Sequence, residues 1–237
     1  MKKRVLLIAA LVAISTVGAG TANAVDVSSW SELKTNKDAE NIIFQNDITA
    51  TGEEFPMPLT ITAATDQTID GNYHSFSSQG KWIDQDTSPR WIDYSLSVAK
   101  TGGSLSFKNL GKFSDGSADN NTFSYTDLDG NTVYKNIETS VNSWKKDFLT
   151  ITKPITVNIT NSVFANNGKD TDAKLINVSG SGATLNVTDS IFYNNKIANV
   201  DGLISGNSNN VDRTRSLINT NILSYVLDFC RHNYFSL

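Results

Sequence analysis

The chain is 237 residues long, 39% hydrophobic and 19% charged, with a net charge of −4. That acidic balance argues against nucleic acid as a partner, which calls for a basic face, and the lone cysteine, Cys230, excludes an intrachain disulfide. Past the N-terminus no apolar stretch reaches the roughly 20 residues of a membrane-spanning helix.

The N-terminus is tripartite. Lys2, Lys3 and Arg4 are basic, Val5 to Val17 is apolar apart from Ser15 and Thr16, and Gly18 to Thr21 lead into Ala22-Asn23-Ala24. Ala22 and Ala24 supply the small-x-small pattern that signal peptidase accepts, so residues 1–24 are predicted to be a cleavable signal peptide. The product is then exported: extracellular, at the outer-membrane surface, or periplasmic if it lacks a translocator. Cleavage removes three cations and leaves a net charge of −7.

The rest reads as β. Trp30 to Lys34 fits one helical turn capped by Ser29 or Ser31. Asn41 to Ile48, Leu59 to Thr62 and Gln67 to Gly71 are short strand candidates bounded by Asn, Asp, Gly or Pro. The aromatic residues Trp82, Trp91 and Tyr94 follow in an irregular stretch, with Asp84, Asp86 and Arg90 between them. Exposed aromatics with polar neighbours can stack on sugars or grip a protein, so these three are candidate ligand contacts. The plainer reading is that they cap the first strands or cover a loop. Trp30 and Trp144 are expected in the packing, at the start of the array and at the foot of an insertion. That insertion spans residues 114–147. In it, Thr122 to Thr126 and Asn131 to Lys135 flank Asp127-Leu128-Asp129-Gly130, a hairpin signal. It is expected to project from the body.

An internal repeat follows. Thr156-Val-Asn-Ile-Thr-Asn-Ser-Val-Phe164 precedes Thr184-Leu-Asn-Val-Thr-Asp-Ser-Ile-Phe192 by 28 residues, with Asn166-Asn167 over Asn194-Asn195 and Leu175-Ile176 over Leu203-Ile204. An older copy places Leu105 and Phe107 over Leu185 and Val187, and Leu96 and Val98 over Ile176 and Val178. Alternation puts Val157 and Ile159 on one face, as it does Leu185 and Val187. One unit cannot bury that face alone. Stacked units can, with Val157 against Leu185 and Phe164 against Phe192.

The segments Ser162-Val-Phe-Ala-Asn-Asn167 and Ser190-Ile-Phe-Tyr-Asn-Asn195 resemble the Phe-x-x-Asn repeats of polymorphic outer-membrane proteins and autotransporter adhesin-like passengers. Gln67 to Phe76 and Val27 to Leu33 resemble early segments of the same family. The resemblance covers residues 25–207. It implies an all-β fold: a right-handed single-stranded parallel β-helix, or solenoid, with a short N-terminal cap and an inserted β-hairpin. It also implies a non-catalytic exported passenger that presents loops to a host or bacterial surface protein or glycan. Residues 208–237 depart from the pattern, and the repeat is expected to stop there. They read either as a truncated or frameshifted end of an autotransporter or as a cap; a non-functional fragment is the further alternative.

A carbohydrate-active, pectate-lyase-like enzyme is the alternative from another class. It needs converging carboxylates, and Asp115, Asp119, Asp127 and Asp129 look like turn residues instead. Asp170 and Asp172 lie in a loop, and Asp189 sits where the other repeat has Asn161. Asp127-x-Asp129-Gly130 lacks the distal Glu of a calcium loop. His74 and His232 are too far apart in sequence to suggest a zinc site, and His74 is expected to decorate the Asp70-Gly71-Asn72 turn. Thr60-x-Thr62 and Thr150-x-Thr152 are explained by β propensity. The sequence points to no cofactor, no metal site and no catalytic residue.

Overall fold

The computed structural model of the chain describes residues 24–53, 56–83, 90–117, 122–126, 130–145, 147–168, 175–195, 204–206, 211–214 and 217–219. The signal-peptide segment therefore lies outside the described residues, except for Ala24, which is exposed just before the first strand.

The described chain is all-β, with one short helix and three parallel sheets, none closed into a barrel. Strand β1 (Val25–Val27) and helix α1 (Trp30–Thr35) come first. Ser29 caps α1: its side chain accepts from Glu32 N, while Glu32 Oε2 accepts from Ser28 N, one residue before the cap, a variant of the capping box. Trp30 and Leu33 turn the buried side of the helix inward.

From there the chain visits the three sheets in rotation. β2 (Asn41–Phe44), β3 (Ile48–Ala50) and β4 (Leu59–Ile61) make one circuit; β5 (Gln67–Asp70), β6 (Phe76–Ser78) and, after a ribbon of β7 (Lys81–Ile83) and β8 (Arg90–Ile92), β9 (Leu96–Val98) make the next. The third holds β10 (Ser104–Lys108), then the inserted β11 (Lys112–Asp115), β12 (Thr122–Thr126) and β13 (Thr132–Thr139), then β14 (Val141–Asn142) and β15 (Leu149–Ile151). The fourth is β16 (Thr156–Thr160), β17 (Val163–Ala165) and β18 (Ile176–Val178), and the fifth β19 (Thr184–Thr188), β20 (Ile191–Tyr193) and β21 (Ile204–Gly206). β22 (Val211–Thr214) and β23 (Leu217–Asn219) extend two of the sheets further. Sheet 1 runs β1-β2-β5-β10-β16-β19-β22, sheet 2 β3-β6-β14-β17-β20-β23 and sheet 3 β4-β9-β15-β18-β21.

The register is the one the repeat predicts. Val157 pairs with Leu185, Phe164 with Phe192 and Ile176 with Ile204. The older copy also fits: Leu105 pairs with Val157, and Leu96 with Leu149, which pairs with Ile176. The pairing also continues past residue 207, where the repeat was expected to stop: Leu185 pairs with Val211 and Val187 with Arg213. The sequence hid this because the spacing shortens to 26 residues and Arg takes a register position held by Val in the circuit before. Residues 220–237, with Cys230 and His232, lie outside the described residues.

Strands alternate buried and half-buried positions, as in Thr156-Val-Asn-Ile-Thr160. The buried rows meet in the interior. An aromatic chain runs through it: Trp30 touches Phe76, Phe76 touches Phe148, Phe148 touches Phe164, and Phe164 stacks on Phe192 at 4.7 Å and 4°. Trp144 is fully buried against Phe76 and Phe148. Sharp corners separate the sheets. Asn109, Asn161 and Asp189 hold positive φ at the corner after sheet 1, and Asn166 and Asn194 at the one after sheet 2. Asn and Asp tolerate this conformation best among residues with a side chain. Gly111 (φ 82°) admits no side chain at all, since a Cβ would lie 2.6 Å from Ser140 Cα.

The insertion forms an antiparallel sheet of order β11-β13-β12, with Thr126 opposite Thr132 as the hairpin signal requires. It does not project. Phe123 stacks on Tyr193 at 4.6 Å and packs with Val163, Ala165 and Ile191, joined by Phe113 and Ile137. In these circuits the outward positions of sheet 2 are apolar, so the hairpin folds back to cover them.

Candidate functional site

The three aromatic candidates do not form one site. Tyr94 is core: it is 1% exposed, its ring meets Trp30 edge-on at 5.6 Å, and its hydroxyl accepts from Glu53 N. This corrects its reading as a ligand contact. The flanking stretch looked irregular in sequence, yet Tyr94 lies just before β9 and turns inward with Leu96. Trp82, by contrast, is half exposed, on β7. Its partner across the ribbon is Trp91, so two tryptophans share one rung of an antiparallel pair. Met57, also exposed, lies in the same connection between sheets 2 and 3, one circuit earlier. Of the three candidates Trp82 is the one shown exposed, which makes the β7–β8 ribbon the candidate contact surface.

The candidate carboxylates among the described residues have structural roles. Asp115 is exposed and bound to Lys135 Nζ at 2.5 Å, which lowers its pKa by hydrogen bond and charge. Asp70 accepts from Asn72 N and Asn109 Nδ2 and pairs with Lys108 at 3.0 Å; burial raises its pKa, but these contacts outweigh it and the net shift is down. Asp189 shares the corner conformation of Asn161, as its repeat position predicts. Asp84, Asp86, Asp119, Asp127, Asp129, Asp170 and Asp172 lie outside the described residues. His74 sits in the turn, its N–H donating to Gly71 O, with Nδ1 3.4 Å from Asp47. The threonine pairs have structural work: Thr62 donates its N–H and hydroxyl to Asp38, and Thr152 Oγ1 donates to Val98 O. Among the described residues no three metal-ligating side chains gather.

Sequence reasoning missed one polar cluster. Asp38 accepts from Thr62 N and Ala63 N and pairs with Lys37. Burial raises its pKa, but the Lys37 and backbone hydrogen bonds win and bring it to about 2. Nearby, Lys100 is fully buried and donates to Thr65 O at 2.8 Å; burial lowers its pKa against the pull of Asp38 and Asp66. Asp66 in turn accepts from Ser104 N and Oγ. These groups fasten a corner between successive circuits. An apolar cavity nearby lies between Leu33 of α1 and Ile61, Phe76 and Phe107 of the interior. Its lining is apolar apart from Lys37, so it reads as packing.

No protein-family model, curated protein or solved structure matches this chain.

Proposed function

We propose that the chain is a right-handed single-stranded parallel β-helix, exported by its N-terminal segment, that works as a non-catalytic adhesin-like passenger. The observation that carries this reading is the rotation of strands through three sheets in one register, with Val157 on Leu185 and Phe164 on Phe192. The right hand is the usual one for a crossover between parallel strands of one sheet, which supports that hand here. Such a rod is stiff, and what varies along it are its excursions. The β7–β8 ribbon offers Trp82 to solvent, and its partner is a host or bacterial surface protein or glycan. The protein acts outside the cytoplasm, extracellularly or at the outer-membrane surface.

Two measurements test it. Expression with the N-terminal segment intact, followed by mass determination of the exported product, should give a mature chain starting at Val25. A chain retained whole in the cytoplasm refutes export. Binding to glycan and surface-protein arrays should then fall at least about tenfold in Trp82→Ala, about 1.4 kcal/mol. Release of cleaved sugar ends during that assay would replace the passenger reading with the pectate-lyase-like enzyme.

A further inference from the structure

Asn167-Gly168 is the single Asn-Gly pair of the chain. In an open chain such a pair modifies itself. Gly168 carries no side chain, so nothing keeps its backbone nitrogen from the Asn167 amide carbon. A bond forms from Gly168 N to Asn167 Cγ, the Cγ–Nδ2 bond breaks, and Nδ2 leaves as ammonia with the proton that Gly168 N gives up. Water then opens the cyclic imide at either carbonyl. The product is aspartate, or isoaspartate with the main chain routed through the side chain. The reaction consumes water alone.

The fold silences this chemistry. Asn167 follows the corner after sheet 2 and is fully buried. Its Oδ1 accepts from Trp144 N at 3.0 Å, and its Nδ2 donates to Val141 O at 2.9 Å and to Asn195 Oδ1 at 3.0 Å. Gly168 N, the attacking atom, donates to Trp144 O at 2.6 Å. The leaving amide and the nucleophile are each held, and bulk water is kept away. Val141 and Trp144 belong to the third circuit, Asn195 to the fifth. Asn195 is fully buried too; its Oδ1 also accepts from Asn167 N at 3.0 Å, and its Nδ2 donates to Phe164 O at 2.9 Å. It is the part of the cage that is lost when the fifth circuit opens.

We infer that Asn167-Gly168 is a latent self-modification site: opening of the fifth circuit lets Asn167 convert, and the converted chain no longer recloses as before. Local opening of an end costs less than global unfolding. Aspartate accepts but does not donate, so an oxygen in the place of Nδ2 faces two acceptors, Val141 O and Asn195 Oδ1. Turning the Asn195 amide over would strand Asn167 N and Phe164 O. A buried charge without donors opposes reclosure. Isoaspartate adds a carbon to the main chain and draws Gly168 away from Trp144 O. The change is one-way, so it accumulates with the time the end has spent open.

Peptide mapping by mass spectrometry follows conversion of Asn167 at neutral pH, in native buffer and in urea. The unfolded chain is expected to convert at least about tenfold faster than the folded one. Asn195→Ala should raise the rate in native buffer at least about fivefold and leave the rate in urea unchanged. If that variant does not fold, hydrogen exchange at Asn167 N of the native chain in sub-denaturing urea takes its place, and conversion should rise in step with exchange. Equal rates in the folded and unfolded chain overturn the proposal. So does a folded Asn195→Ala that converts no faster, or a conversion rate that does not follow exchange. Asn167→Asp carries the product side chain and should unfold at a lower urea midpoint; a variant as stable as the native chain overturns the one-way step.

Discussion

The first circuits and the later ones face the same problem at their corners, where backbone N–H groups leave the sheets and need acceptors, and they solve it with different atoms. Early in the chain the acceptors are carboxylates that reach forward: Asp38 to Thr62 and Ala63, Asp47 to Ser75, Asp66 to Ser104. Later they are neutral and reach back: Ser162 Oγ to Leu110 N, Ser190 Oγ to Ser162 N, Asn167 Oδ1 to Trp144 N, Asn195 Oδ1 to Asn167 N. The geometry fixes the need for an acceptor and leaves its charge free. A charged acceptor makes the stronger bond, but it ties stability to pH; a buried amide does not titrate. The later circuits also carry the hairpin, which the early ones lack.

Four substitutions probe the contrast. The largest effect is expected from Phe123→Ala, which empties the apolar contact between hairpin and sheet 2 and should cost about 3 kcal/mol in denaturant unfolding. Asn167→Ala strands the Trp144 N–H and the Val141 carbonyl inside the later circuits. About 2 kcal/mol should be lost, to the same extent at pH 7 and pH 3. Asp38→Asn keeps an acceptor but removes the charge. The folded pKa of Asp38 is about 2 against an ordinary 3.8, so its contribution is present above about pH 4 and fades as pH falls toward 2. The Asp38 side chain is 36% exposed, so after solvent screening about 1 kcal/mol should be lost at pH 7 and almost none near pH 2. Hydrogen exchange should show the same asymmetry in the native chain: acid opens the corners around Thr62 and Ser104 before those around Ser162 and Asn167. If both sets open together, acceptor charge does not divide the molecule. Asp47→Ser copies the later chemistry into an early corner and is expected to change stability by less than about 0.5 kcal/mol.

Much of the fold was legible because stacked circuits must keep register, so the 28-residue repeat named the pairs Val157–Leu185 and Phe164–Phe192 before any coordinates. The hairpin was legible from Asp129-Gly130. Its resting place was not, although a sign was present: Val163-Phe164-Ala165 breaks the alternation seen elsewhere, and a strand apolar on both faces needs cover on both. Tyr94 was misread because nothing in a short segment tells an inward aromatic from an outward one unless the register of its circuit is known. Asp38 was missed for a different reason. Its partners lie 24 and 25 residues away, and no local motif marks a carboxylate that serves the next circuit.

The folded-back insertion has a further consequence. In a stack where each unit touches only its neighbours, unfolding can begin at an end and move inward one unit at a time. Here the hairpin leaves the third circuit and lies across strands of the fourth and fifth, through Phe123 on Val163, Ile191 and Tyr193. Those circuits cannot peel away singly without first exposing that contact. The clasp lengthens the cooperative unit from one circuit to three, so fraying from the C-terminal side meets a barrier that a plain stack of the same strands lacks.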